Sequence, residues 1–183
     1  MGSAEKILFD NSSRVAPLGL IAMEGAKELG EKVNSYLTKW SNEKEHFKDT
    51  FLVEANCPRF SSGDSKGLIK QTVRGNDLFI LCDMGNYSVT YDYFGHENWM
   101  SPDDHYQDLK RIIQAASGKA HRINIIMPSL YGGRQHRRNY RESLDCAVAL
   151  QELQAMGVSN VLTFDVPDRK STRLNSSHQA SSY

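Results

Sequence analysis

The chain has 183 residues, with 22 Lys+Arg against 22 Asp+Glu, 39% hydrophobic and 24% charged residues, and three cysteines. The length suits one ordinary domain that buries a core without staples, and the zero net charge removes any whole-molecule argument for binding nucleic acid or an acidic membrane. Cys57, Cys82 and Cys146 are too few and too scattered for a disulfide framework or a zinc site.

Residues 1–15 form an N-terminal segment without pattern. Leu18 to Met23 (LGLIAM) reads as a strand, and Ala26, Leu29, Val33, Leu37 and Trp40 recur at helical spacing. Phe51 to Ala55 reads as a second strand, followed by Pro58 and the polar stretch Ser61-Ser62-Gly63-Asp64. Asp77 to Cys82 is a continuous apolar run, the signature of a strand buried on both faces of a parallel sheet. Met84 to Met100, rich in Tyr, Gly and Asn, reads as a long loop with room for one turn of helix.

Ser101-Pro102-Asp103-Asp104 starts a helix well: Ser at the N-cap, Pro at the first helical position, acids in the first turn. Tyr106, Leu109, Ile112, Ile113 and Ala116 supply its apolar face, and Gly118 ends it. Arg122 to Met127 (RINIIM) is another buried strand. After a loop over 128–139, a helix from about Arg141 carries Cys146, Leu150 and Leu153 inward until Gly157, and Val161 to Asp165 is the last strand. Strand–helix alternation of this kind predicts an α/β fold, a mainly parallel sheet flanked by helices. In such sheets ligand sites gather beyond the carboxyl ends of strands, which nominates the loops after Ala55, Cys82, Met127 and Asp165.

Asp168 to Tyr183 changes character, with five serines and no apolar periodicity. The run from Asp168 to His178 resembles one reading frame of a widely used sequencing-adapter oligonucleotide. The expectation is therefore a non-native tail over 168–183 and a single domain over 16–167, cut off near Pro167. Setting aside three basic residues (Arg169, Lys170, Arg173) and one acid (Asp168) leaves 19 Lys+Arg against 21 Asp+Glu, slightly acidic. No run approaches the roughly 18–20 apolar residues of a membrane span, and Met1 to Lys6 lacks a signal-peptide core. The expectation is a reducing, cytoplasmic setting with no membrane partner.

Neither a GxxxxGK[ST] phosphate loop nor a GxGxxG turn after the first strand is present. The loop after RINIIM is the most loaded with chemistry: Tyr131-Gly132-Gly133-Arg134-Gln135-His136-Arg137-Arg138. Arg134 suits a phosphate, Gln135 a base or sugar, and His136 titrates near neutral pH. A solvated basic loop and a nucleic-acid patch are the alternatives, the latter lacking interleaved aromatic residues. Position at a strand's carboxyl end favours a small phosphorylated ligand over a nucleic acid. A second segment, Arg59 to Asp64, leads to Thr72-Val73-Arg74-Gly75-Asn76-Asp77. Phe60 there reads either as a core anchor or as an exposed ring for stacking on a base, with Asp64 accepting from an amino group.

Taken in order, these segments resemble ribose-phosphate pyrophosphokinase. The family's FSDGE loop corresponds to Phe60-Ser61-Ser62-Gly63-Asp64 and its VRGxD motif to Val73-Arg74-Gly75-Asn76-Asp77. Its YxxRQ loop after a strand ending in Pro corresponds to Pro128 and Tyr131 to Gln135, and its GxxxVLTxD strand to Gly157 through Asp165. The resemblance spans about residues 50–166. It implies a phosphoribosyltransferase-like N-terminal domain of an enzyme that transfers the diphosphoryl group of Mg-ATP to ribose 5-phosphate, giving phosphoribosyl pyrophosphate and AMP.

The resemblance also implies ATP contacts at Phe60, Ser62, Gly63 and Asp64, on a loop that reaches a neighbouring subunit's site, and at Arg134, Gln135 and His136. Magnesium would accompany ATP, and the family assembles hexamers from dimers. The sequence departs from the pattern at Asp64, where glutamate is usual, at Ser62, where Asp is frequent, and at His136, where Asp is usual. Asn86 to His105 is longer than the resemblance leads one to expect. Pro167 stands where a metal-binding histidine is expected, and the second half-domain with its basic catalytic loop and ribose-5-phosphate loop lies outside the sequence. No catalytic residue or metal ligand is therefore assigned, and the fragment is expected to be inactive alone. The alternative is a non-catalytic homologue that assembles with the enzyme.

Overall fold

The computed structural model describes residues 16–43, 48–135 and 140–164. Four strands, β1 (Leu18–Ala22), β4 (Asp77–Leu81), β7 (Arg122–Ile126) and β8 (Val158–Leu162), pair in that order, all parallel. Between them in chain order come helix α1 (Lys27–Glu43), the two-residue pair β2 (Ala55–Asn56) and β3 (Leu68–Ile69), and a hairpin of β5 (Thr90–Tyr93) with β6 (His96–Trp99). Helices α2 (Pro102–Ala116) and α3 (Asp145–Ala155) complete the set. The expected α/β class, a mainly parallel sheet flanked by helices, is what the chain adopts.

The apolar runs explain the layering. β4 lies inside the sheet, so both its faces need cover. Leu78 and Ile80 point to one side, with Ile21, Ile123 and Ile125. There α2 lays down Leu109, Ile112 and Ile113 and α3 adds Leu153, all but sealed from solvent. Each such side chain contributes roughly 2 kcal/mol by leaving water. Phe79 and Leu81 point to the other side, with Leu20 and Ile126, under Ala26 and Val33 at the α1 end.

Several elements differ from expectation. Phe51 to Ala55 is not a full strand. Leu20 N–H donates to Phe51 O and Val53 N–H to Leu20 O, both at 2.8 Å, so the segment borders β1 through one parallel bridge at Leu52 before turning away into β2. On α1 the stripe read at Ala26, Leu29 and Val33 is only partly covered. Leu29 is 41% exposed, and the helix meets β1 at Gly30, packed against Ala22. Helix α3 starts at Asp145 rather than near Arg141, and β8 starts at Val158, earlier than the predicted Val161. Asp165, at the predicted end of that strand, lies outside the described residues.

The largest correction is Met84 to Met100, which forms a hairpin instead of a loop. Tyr93 pairs with His96, leaving the two-residue turn Phe94–Gly95 with φ of 49° and 82°, the mirror-image turn whose twist suits a hairpin. Its base closes onto the start of α2, where Met100 N–H donates to Val89 O at 2.8 Å. The α2 start is as predicted: Ser101 Oγ accepts from Asp104 N–H, and Asp104 accepts from Ser101 N–H in return.

At the amino end of the sheet a polar ladder sets register. Asp77 accepts two bonds from the Arg122 guanidinium and one from Asn124, which accepts in turn from Asn160 at 2.7 Å. Burial opposes ionisation of Asp77, but these donors outweigh it and hold its carboxyl below the usual range. No helix among the described residues is long and apolar enough to cross a membrane.

Candidate functional site

Helix α2 is the pillar on which both predicted loops hang. The first, residues 60–64, is a tight turn: Phe60 N–H donates to Asp64 O at 2.8 Å and Gly63 N–H to Phe60 O at 2.9 Å, with Arg59 and Ser65 bridged at its neck. Gly63 takes φ +90°, a conformation in which a side chain would be strained, and a Cβ there would fall 2.9 Å from the Tyr93 ring. Phe60 is 52% exposed, so it is not a core anchor. Ser62 Oγ donates to Asp64 Oδ1, and that bond holds the exposed Asp64 carboxyl below its ordinary value.

What pins this turn is charge. Arg59 donates through Nη1 to Gly63 O at 2.7 Å and through Nη2 to Asp108 Oδ2 at 3.0 Å, its guanidinium lying 4.2 Å over the Tyr91 ring. Asp108, buried on α2, also accepts from Ser65 Oγ and, at 3.0 Å, from Arg111 Nη1. A hollow of about 270 Å³ runs beneath, lined by Cys57, Arg59, Tyr91, His105 and Asp108 among others. Burial, and then the Asp108 charge, push the Cys57 thiol up to about 12, which leaves it an unreactive thiol at neutral pH. All three cysteines are free.

The second loop follows β7. Gly133–Gln135 makes one short helical turn, with Gln135 N–H donating to Gly132 O at 2.8 Å. Gly132 has φ +65°, and a Cβ there would sit 2.9 Å from the Cys146 amide nitrogen, so the loop lies directly on the start of α3. Here rings do the anchoring. Tyr131 stacks on Tyr106 of α2, centroids 4.2 Å apart and planes within 4°, and its hydroxyl donates to Asp103 at 2.7 Å. Burial, and then that bond, push the Tyr131 hydroxyl up to about 12. Tyr106 in turn donates to Ala149 O at 2.9 Å and contacts Glu152 at 3.0 Å.

The second loop walls an open groove of about 530 Å³ at the carboxyl edge of the sheet. Met84 and Gly85 after β4 and Pro102 of α2 face Leu130, Tyr131 and Arg134 across it. Arg134 and Gln135 are exposed; His136 lies outside the described residues. The structure thus joins two of the nominated loops, those after Cys82 and Met127, into one groove. It does not bring Phe60, Ser62, Gly63 or Asp64 there: their loop grips α2 at Asp104 and Asp108, whereas the Tyr131 loop grips it at Asp103 and Tyr106.

Sequence reasoning missed the supports. Asp108 had a visible signal, because a carboxylate three residues after His105 and four before Ile112 sits within α2's buried stripe and demands a partner. Tyr91 and Tyr93 give none, since their strands carry no aliphatic residue and their turn lacks Asn or Asp. Among the described residues no group of three or more His, Cys, Asp and Glu side chains is placed to hold a metal ion.

Comparison with known proteins points to one family. Residues 18–157 match the N-terminal domain of ribose phosphate pyrophosphokinase. Ribose-phosphate pyrophosphokinase 1 of Schizosaccharomyces pombe is 28% identical over 115 residues, covering 62% of this chain and 25% of the relative. Ribose-phosphate pyrophosphokinase of Chlorobaculum tepidum is 24% identical over 152 residues, covering 82% and 39%. In the crystal structure of phosphoribosylpyrophosphate synthetase from Mycobacterium smegmatis the same fold recurs, with a TM-score of 0.64 at 20% identity over 86% of this chain and 45% of that one. The chain spans between a quarter and two-fifths of the length of these curated relatives. It belongs to the family of the ribose-phosphate pyrophosphokinase N-terminal domain.

Proposed function

We propose that this chain is the ATP-holding half of a ribose-phosphate diphosphokinase, which in the full-length protein transfers the diphosphoryl group of Mg-ATP to ribose 5-phosphate for nucleotide biosynthesis. The observation that carries the reading is the Arg134 groove, a cationic side chain on a tight glycine-shaped turn at the carboxyl edge of a parallel sheet. Arg134 would neutralise phosphate charge and Gln135 would bond the base or sugar, with His136 beside them. Phe60 would stack on adenine while Ser62, Gly63 and Asp64 shape the turn and Asp64 accepts from the exocyclic amine.

The separation of the two loops on α2 fits a site shared between subunits, the groove of one chain receiving the Phe60–Asp64 turn of another. A homo-oligomer, as in the family, belongs to the proposal. Magnesium belongs to it as part of Mg-ATP, and no described residue is assigned as its ligand. Three free cysteines suit the cytoplasmic setting. The 183-residue chain alone is expected to show no turnover.

The test uses the full-length protein that carries this domain. It should convert ATP to AMP only with ribose 5-phosphate and magnesium present, and Arg134→Ala should lower kcat/KM for ATP on the order of 10- to 100-fold, as loss of a charge-assisted contact does. Background turnover in the intact protein, together with association with an active relative, would replace this reading by the non-catalytic assembly partner. Unchanged ATP dependence in the variant would return Arg134 to a solvated loop.

A further inference from the structure

The hairpin β5–β6 has no part in the reading above, yet it leans on the turn to which that reading assigns the base. Three contacts join them. Phe94 N–H donates to Ser61 O at 3.0 Å. The Tyr93 ring packs against Gly63 so closely that only a hydrogen fits at that Cα. Tyr91 lies 4.2 Å under the Arg59 guanidinium, whose nitrogens hold Gly63 O and Asp108. All three contacts fall on residues 59–63, and the hairpin's base is tied to the cap of the helix that bears Asp108.

We infer that Tyr91 and Tyr93 are positioning residues for nucleotide binding: they hold the Phe60–Asp64 turn in one shape without touching the nucleotide. The inference rests on the assignment of that turn to ATP. A five-residue turn closed by two backbone hydrogen bonds opens at low free energy on its own. Tyr91 covers the face of Arg59 that its hydrogen bonds leave open, so the guanidinium stays in plane to grip Gly63 O. Tyr93 closes the outer side of Gly63. With the turn already shaped, Phe60 and Asp64 meet their ligand without an ordering cost at the moment of binding.

Hydrogen exchange on the full chain and ATP kinetics on the full-length protein test this together. Tyr91→Leu and Tyr93→Ala should each speed exchange of the Phe60 and Gly63 amides by about tenfold, the size of a lost cation–π or packing contact. Exchange in β4, residues 77–81, should stay as in the parent, which shows that the variants fold. Both variants should raise KM for ATP about tenfold with kcat within about twofold, and Tyr91→Phe, which keeps the ring, should restore both readouts.

Unchanged exchange at 60–63 in both variants would overturn the positioning role. So would loosened exchange with a normal KM in a protein where Phe60→Ala does raise KM. If Phe60→Ala and both tyrosine variants all leave ATP dependence unchanged, the assignment of the turn to ATP falls, and the inference with it.

Discussion

Loop 60–64 is held to α2 by ions and loop 131–135 by rings and close-packed backbone. In the first, Arg59 and Arg111 converge on Asp108, whose side chain is only 6% exposed, so salt screens the pairs weakly and either partner left alone is costly. In the second, the Tyr131–Tyr106 stack and the seat of Gly132 on α3 carry the load, and the carboxylates Asp103 and Glu152 meet it by accepting from the two tyrosine hydroxyls rather than by pairing with a cation of the loop. The contrast suits the tasks proposed for them. A turn that reaches outward needs a strong tether at its neck, whereas a phosphate groove needs a firm floor.

Deleting the tether should have the largest effect. Asp108→Ala strands two arginines and Ser65 and should cost about 3–5 kcal/mol in urea unfolding; Asp108→Asn, which keeps hydrogen-bond acceptance, should cost less. A loss below about 1 kcal/mol would show that the ions are not what holds the first loop. The floor comes next. Gly132→Ala places a Cβ against the Cys146 amide at a left-handed φ and should cost about 1–3 kcal/mol. A neutral result would mean that the start of α3 yields, and the second loop is less firmly seated than the first.

The smallest effect sharpens the contrast at its exposed tip. The folded Asp64 carboxyl is held below its unfolded value, so its contribution is complete above the unfolded pKa and is lost as pH falls through the lower folded one. NMR titration between about pH 2 and pH 5 should show the Asp64 midpoint rising toward the ordinary value in Ser62→Ala. Stability near neutral pH should scarcely move, because the group is exposed. A midpoint indifferent to Ser62 would place the cause in the turn's own backbone.

The legible parts were those whose physics is local or periodic. Ser101-Pro102-Asp103-Asp104 can satisfy a helix start by itself, and α2 begins there. The runs at Asp77–Leu81 and Arg122–Ile126 were long and apolar enough to name buried parallel strands. The hairpin was hard to read because TYDY and HENW carry no aliphatic residue, and Phe94–Gly95 is a turn without the usual Asn or Asp. The segment Phe51–Val53 has strand composition, but among the described residues only Leu20 pairs with it.

The site divides the same way. Arg134 and Gln135 suggested their chemistry by residue type and Phe60 and Asp64 offered theirs as one of two readings, whereas Ser62 and Gly63 became candidate contacts only through the family resemblance. Their grouping was not legible. That Met84 and Pro102 face Arg134 across one groove, that the Phe60 turn stands apart from it, and that Asp108, Tyr91 and Tyr93 hold that turn are consequences of packing between residues far apart in the chain, Arg59 and Asp108 by 49 positions. By itself the sequence determined the cap of α2, the buried strands β4 and β7 and the residue types each loop carries, because backbone capping and desolvation act residue by residue. Which loops share a cavity was decided only when the sheet order and the packing of α2 brought distant side chains within a few ångströms.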